Sequence, residues 1–268
     1  MNFKCLLLTS YLLTIASLSY ATDDKIVSTQ DASLKIPRIE LHHFHDEDVN
    51  LDPELKELLT VTPKHEKYYF RFYDCPINQE ITVYLRHISN DQVKNNGQPL
   101  YEQKSKFSIH EDGNVIVNGD KYPAYFWFTS IGYLPGERIY CRFQTADGTI
   151  IQEINWIPIP MIAKDKNRTI IFEAELINVH PILYNLSLKG LQDGEEYTVC
   201  SRSENEVVKG FLKYPEGSSQ AYCPGVSGVK GGVSEITITT KSNKVLKLHL
   251  PWGKNLIGYL LGEKIYKP

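Results

Sequence analysis

No charge of one sign dominates this sequence. Of its 268 residues, 29 are Lys or Arg and 32 are Asp or Glu, giving a formal net charge of −3 and a sequence pI near 6.3. That balance provides no overall positive field to hold a polyanion, so nucleic-acid binding is not expected. Cysteine is scarce at five residues, and no CxxC pair or Cys/His spacing of a zinc site occurs. Catalytic spacings are missing too. Gly225-Val226-Ser227-Gly228 lacks the Gly-x-Ser-x-Gly pattern of a nucleophile elbow, and no carboxylate pair stands at a glycosidase-like spacing. The four glycines from Gly225 to Gly232 lie among strand-like text rather than at a strand-to-helix phosphate site. These absences leave no diagnosable reaction and no expected cofactor.

Long hydrophobic runs are also lacking, with one exception at the start. Lys4 precedes an apolar run of 14 residues from Cys5 to Leu18, and Ser19-Tyr20-Ala21 then places small residues three and one before a cut after Ala21. This is the layout of a secretory signal peptide. It is too short for a transmembrane anchor, which needs about 20 apolar residues, and Asp23-Asp24 follow at once. No transmembrane segment is expected after cleavage, and the protein is expected to be secreted, periplasmic or at the cell surface. Four cysteines remain in the exported chain, Cys75, Cys141, Cys200 and Cys223. An even number in an export context suits disulfides. Of the three connectivities, Cys75 with Cys141 and Cys200 with Cys223 is favoured because two cysteines fall in each half; free buried thiols are the alternative.

Thr22 to about Lys64 is polar and weakly patterned, and reads as an extended arm with one short helix signal: Asp52 as N-cap, Pro53, then Glu54, Leu55, Leu58 and Leu59. From Tyr68 the text turns to short β-rich runs. Arg71–Tyr73, Ile81–Arg86, Lys106–Ile109, Val115–Val117, Tyr122–Phe128, Arg138–Phe143 and Thr149–Ile157 read as seven strands, separated by turn dipeptides such as Asp112-Gly113, Asn118-Gly119 and Asp147-Gly148. Ile157-Pro158-Ile159-Pro160 interrupts the ladder, since proline cannot donate to a sheet. A second strand-rich region runs from Ile170 to about Tyr259, with half-buried alternation in Ile236, Ile238 and Thr240. The fold class is therefore all-β: two tandem immunoglobulin-like sandwiches after the signal peptide and arm, bounded as 1–21, 22–64, 65–160 and 161–268.

The halves read as distant repeats in two competing registers. One aligns Gly132 to Trp156 with Gly228 to Trp252; the other aligns Leu134-x-Gly136-Glu137 with Leu191-x-x-Gly194-Glu195, each followed by a strand holding Cys141 or Cys200. Leu186 to Arg202, LSLKGLQDGEEYTVCSR, resembles the turn and strand of a fibronectin type III or immunoglobulin-like module. The resemblance implies architecture only, an extracytoplasmic sandwich that carries many unrelated functions.

Two constellations stand out as sites. His42-His43-x-His45, followed by Asp46, Glu47 and Asp48, is the densest ligand cluster, and imidazoles suit zinc, nickel or copper. The alternative is a solvated loop. The richer signal is aromatic: 17 tyrosines, 10 phenylalanines and three tryptophans. Tyr122, Phe126 and Phe128 alternate with Tyr125 and Trp127, and Tyr68, Phe70 and Phe72 alternate with Tyr69 and Tyr73, so rings occupy both faces of two strands. One face is core; the other, with Tyr125 and Trp127, is either packed against the arm, as in a two-sided core with tyrosine hydroxyls at the rim, or presented to stack on a glycan or anchor a protein partner. The leading expectation is a non-catalytic binding protein of the cell exterior. An exported hydrolase with a loop-built site and an envelope assembly component are the alternatives.

The export reading fixes a mature terminus. Terminal sequencing or intact-mass measurement of the exported protein is expected to find Thr22 first, with Met1–Ala21 absent.

Overall fold

Alternation of apolar and polar residues becomes sheet wherever the sequence shows it. In the strand Gly231–Thr240 every second side chain, from Gly232 through Ser234, Ile236 and Ile238 to Thr240, is buried, and the residues between them are partly or fully exposed. The computed structural model describes residues 36–43, 67–87, 102–122, 125–129 and 133–260, with side chains except at 67, 102–104, 125–129 and 260. The signal segment Met1–Ala21 and the helix signal at Asp52–Leu59 lie outside these residues.

Among the described residues seventeen strands build four antiparallel sheets. In the first half β1 (Arg38–His43), β2 (Lys67–Tyr73) and β7 (Tyr125–Thr129) form one sheet in the order β1-β2-β7. It faces a second sheet of order β6-β5-β4-β3-β8-β9, made of β3 (Glu80–His87), β4 (Glu102–Ile109), β5 (Val115–Val117), β6 (Asp120–Tyr122), β8 (Ile139–Thr145) and β9 (Ile150–Trp156). The second half holds β10 (Met161–Lys164), β11 (Ile171–Val179), β12 (Ile182–Lys189) and β15 (Ser219–Tyr222) in one sheet. Against it lie β14 (Glu206–Lys213), β13 (Glu196–Ser203), β16 (Gly231–Thr240) and β17 (Val245–Gly253), in that order, with α1 (Lys254–Leu260) after β17. No helix among the described residues is long and apolar enough to cross a membrane.

Each half is a sandwich with its own core. Ile39, Phe70, Ile81, Val83, Phe107, Ile139 and Phe143 fill the first; Phe172, Leu176, Tyr184, Leu188, Ile236, Leu248 and Leu250 fill the second. In the first, the Phe70 ring meets Phe143 and Trp156 edge-on, at centroid distances of 5.0 and 6.1 Å. Such pairs stabilise by about 1 kcal/mol beyond simple burial.

The sheet orders correspond strand for strand. β1-β2-β7 matches β11-β12-β15, and β4-β3-β8-β9 matches β14-β13-β16-β17. The first repeat register is therefore the topological one, because it aligns the β8–β9 hairpin with the β16–β17 hairpin. Their turns are built alike: Thr145 N–H donates to Thr149 O and Gly148 N–H to Thr145 O, as Thr240 N–H donates to Lys244 O and Asn243 N–H to Thr240 O. Gly148 and Asn243 both take positive φ, at 92° and 58°, as a three-residue hairpin loop requires. The competing register is shared turn chemistry. Glu137 accepts from Leu134 N–H at 2.9 Å and Glu195 from Gln192 N–H at 3.3 Å, but β8 sits between β3 and β9 whereas β13 sits between β14 and β16. The fibronectin-like stretch Leu186 to Arg202 likewise spans β12, this turn and β13, an early position in its half rather than a late one.

Four expectations are corrected. The arm contributes a sheet strand: β1 pairs with β2 along its whole length, from Arg38 opposite Tyr73 to His43 opposite Tyr68. The strand expected over Tyr122–Phe128 is two, β6 and β7, in different sheets; Pro123 between them cannot donate to a ladder. The Pro-rich linker is fastened rather than a free spacer, with Pro158 O accepting from the Tyr68 hydroxyl and Ile159 O from Gly136 N–H. Neither expected disulfide is formed: Cys75, Cys141, Cys200 and Cys223 are free thiols. Strand parity explains the second pair. Cys200 lies opposite Thr237 and alternates with the core-facing Tyr197 and Val199, so it points out of its sheet, whereas Cys223 follows β15 in the facing sheet. In the first pair, Cys141 is fully buried on β8, while the Cys75 thiol is directed to Arg38 O at 3.9 Å.

Two measurements follow from these features. Burial pushes the Cys141 thiol far up and raises that of Cys75, which disfavours the reactive thiolate. Maleimide labelling of native protein is expected to modify the exposed Cys223 first and to spare Cys75 and Cys141, and denaturation without reductant is expected to expose all four to the reagent. Gly136 has φ 77°, and a Cβ there would run into Met161 and stand 3.0 Å from Ala174 O. Gly136→Ala is expected to lower stability by roughly 1–3 kcal/mol in urea unfolding, since a left-handed backbone and a clash combine.

Candidate functional site: the outer face of the three-stranded sheet

Because side chains alternate across a strand, β1 and β2 each offer one row to the core and one away from it. Ile39, Leu41, Phe70 and Phe72 form the inward row, with Phe72 centred 5.1 Å from Phe107. The outward row is of another character. It pairs Arg38 with Tyr73, Glu40 with Arg71 and His42 with Tyr69 across the two strands.

These pairs form a ladder of rings and charges. The Arg38 guanidinium carbon lies 4.6 Å from the centre of the Tyr73 ring, and that of Arg71 lies 5.7 Å from the Tyr69 ring. Such cation–ring contacts contribute on the order of 0.5–1 kcal/mol where solvent reaches them. His42 stacks on Tyr69 with ring centres 5.2 Å apart and planes 16° apart. Glu40 joins the row, 3.2 Å from both the Arg38 guanidinium and His42 Nε2. Tyr69 is only 6% exposed although it faces away from the core, so its ring is a packed part of the ladder rather than a mobile one.

β7 extends the ladder. Its register sets Trp127 opposite Tyr69 and Tyr125 opposite Arg71, the same outward row, while Phe126 and Phe128 fall opposite Phe70 and Tyr68. The side chains of Tyr125 and Trp127 themselves lie outside the described residues. The backbone thus brings both expected binding residues onto one face with Arg38, Glu40, His42, Tyr69, Arg71 and Tyr73. Of these, the charged members Arg38, Glu40 and Arg71 escape a sequence reading that follows rings alone. The signal that finds them is the alternation of Arg38, Glu40 and His42 with Ile39 and Leu41, inside the segment read as an arm.

The histidine cluster does not converge in its described part. His42 stacks on the outward Tyr69, whereas His43 belongs to the inward row and lies 5.0 Å from the Tyr68 ring; His45 lies outside the described residues. Among the described residues no group of three His, Cys, Asp or Glu is placed to hold a metal. A cleft of about 290 Å³ lies where Arg138 and the linker meet the outer face of β10, β11 and β12. Its charged groups are tied to one another: Arg138 makes a two-pronged pair with Glu175 at 2.7 and 2.9 Å, and Lys189 holds Glu173 at 2.7 Å.

No family model matches the chain, and no curated protein matches it. Among solved structures it is similar to a tetra-tandem repeat in the extending region of a large adhesion protein, at 10% identity and a TM-score of 0.23, over 82% of this chain and 50% of that one. It is also similar to trypsin-activated alpha-2-macroglobulin from Escherichia coli, at 12% identity and a TM-score of 0.24, and to Salmonella alpha-2-macroglobulin reacted with methylamine, at 8% and 0.23. The chain spans half the length of the adhesion repeat and 17% of each macroglobulin. The fold is accordingly read from the chain's own sheets and cores.

Proposed function

We propose that this is a secreted or cell-envelope binding protein that engages a protein or glycan partner, without catalysis, through the outer face of β1-β2-β7. The observation that carries the reading is the outward ladder: cation, ring, carboxylate and imidazole alternate over a sheet face whose opposite side is committed to the core. Rings held rigid by stacking lose little conformational freedom on binding, and neighbouring charges supply direction, which is how aromatic and arginine anchors concentrate binding energy. The N-terminal run supports the location, since it reads as an export signal.

Trp127 takes the central position of the test because its register neighbour is the packed Tyr69. Truncating a central aromatic anchor costs about 2 kcal/mol or more of binding, roughly 30-fold in affinity. Trp127→Ala is therefore expected to abolish recovery of the partner from a native envelope fraction while the urea unfolding midpoint barely moves. A variant that loses its folding transition instead would place Trp127 in the core and move the binding face elsewhere.

A further inference from the structure

The strand correspondence between the halves singles out one edge. In the first half, β4 carries β5 on its outer side, joined at Ser108–Ile116 and Ile109–Val115, and β5 carries β6. Its counterpart β14 ends the four-stranded sheet with β13 on one side only. An edge strand presents backbone donors and acceptors to any chain able to pair with them, and in this half no strand of the described chain takes that place.

β14 is also apolar where it is most open. Phe211 is 86% exposed, Val208 61% and Val207 50%. Register fixes the faces: Leu212 opposite Tyr197 and Gly210 opposite Val199 look inward, and Val207, Lys209, Phe211 and Lys213 form the outward row. The inward side is uncovered at its middle, because a Cβ on Gly210 would meet nothing within 4 Å. The outward row thus reads apolar, cation, ring, cation, and neither Lys209 nor Lys213 is held in an ion pair among the described residues.

The charges choose the occupant. Antiparallel pairing with a second copy about Gly210 would set Lys209 beside Phe211 of the other chain, and Lys213 beside its Val207. Four lysines would then share one face with Glu196 of β13, the register partner of Lys213, as the nearest carboxylate on each side and none from the other chain's β14 opposite them, and pairing about Lys209 would put like charges directly across. The second register is unfavourable, and the first leaves all four lysines without a carboxylate of the other chain. An extended segment with acidic residues opposite Lys209 and Lys213 and an apolar residue opposite Phe211 satisfies the edge, the ring and both cations together. We propose that β14 is a docking strand that takes an acidic, alternating polypeptide segment as the next strand of its sheet. This surface is separate from the outer face of β1-β2-β7, and either proposal can fail without the other.

The test uses the full chain and a blocked eight-residue peptide in which every second residue runs valine, glutamate, valine, glutamate with threonine between them, to match Val207, Lys209, Phe211 and Lys213, with a lysine-for-glutamate version as control. Titration calorimetry is expected to show binding of the glutamate peptide and none of the lysine peptide, with slowed hydrogen exchange at β14 amides. Phe211→Ser, at a site too exposed to matter for folding, is expected to weaken binding at least tenfold. K209E/K213E is expected to invert the preference between the two peptides, a reversal that mere loss of structure cannot produce. Equal affinity for both peptides, no binding at millimolar peptide, or a concentration-dependent dimer formed by the chain alone would each overturn the proposal.

Discussion

The turn from Leu134 to Glu137 is the point on which both sandwiches depend. Its chain belongs to the first half, yet Leu134 is buried in the second core, and Gly136 donates to Ile159 O while its own carbonyl accepts from Leu176 N–H at 2.9 Å. Only glycine fits between Met161 and Ala174 at this close approach. Glu137 is fully buried, and burying a carboxylate is costly unless its oxygens find partners. Here Oε2 accepts from Leu134 N–H at 2.9 Å and Oε1 lies 3.2 Å from His87 Nδ1. Tyr133 packs edge-on against His87, and its hydroxyl is pushed up to about 12, first by burial and then by the neighbouring Glu137. The described residues accordingly form one compact unit although they hold two cores.

That stitching changes what the proline segment does. Ile157-Pro158-Ile159-Pro160 leaves the ladder and bends at Pro158 and Ile159, and its prolines withhold donors, but its carbonyls remain acceptors. The Tyr68 hydroxyl takes one at 2.9 Å and Gly136 N–H the next at 2.8 Å. A sequence shows that proline cannot pair as a donor. It does not show that distant residues will use the acceptors proline leaves.

Strand text was legible wherever alternation was strong, as in Ile236, Ile238 and Thr240, and the β8–β9 hairpin turn followed from Asp147-Gly148. What failed had a common cause: it depended on which way a strand faces once it has neighbours. Cysteine counting paired Cys200 with Cys223, but parity turns Cys200 away from the facing sheet. Three histidines in four residues suggested one site, yet consecutive residues on a strand point to opposite faces, so His42 and His43 separate. β1 was missed because a six-residue strand with only two apolar alternations, Ile39 and Leu41, is a weak local signal that becomes strong only beside β2. The rings of β2 and β7 could be named from sequence, but the cations at neighbouring register positions, Arg38 and Arg71, could not.

The matched sheets also show why the first half, rather than the second, offers the ladder face. The counterpart of β1-β2 is β11-β12, whose outward row is Glu173, Glu175, Asn185, Ser187 and Lys189. There the charges neutralise each other locally: Lys189 and Ser187 hold Glu173, Arg138 of the first half clasps Glu175, and Ser219 donates to Asn185. A ligand would have to displace those bonds and gain little, because exchanging one satisfied polar contact for another yields almost no net free energy. On β1-β2 the outward row instead sets guanidinium groups against rings, Arg38 on Tyr73 and Arg71 on Tyr69, so cation–ring contacts stand where β11-β12 places carboxylate pairs. One sheet plan thus carries, in the second half, a charge-paired surface that joins the halves and, in the first, the mixed row of rings and charges on which the proposed binding face rests.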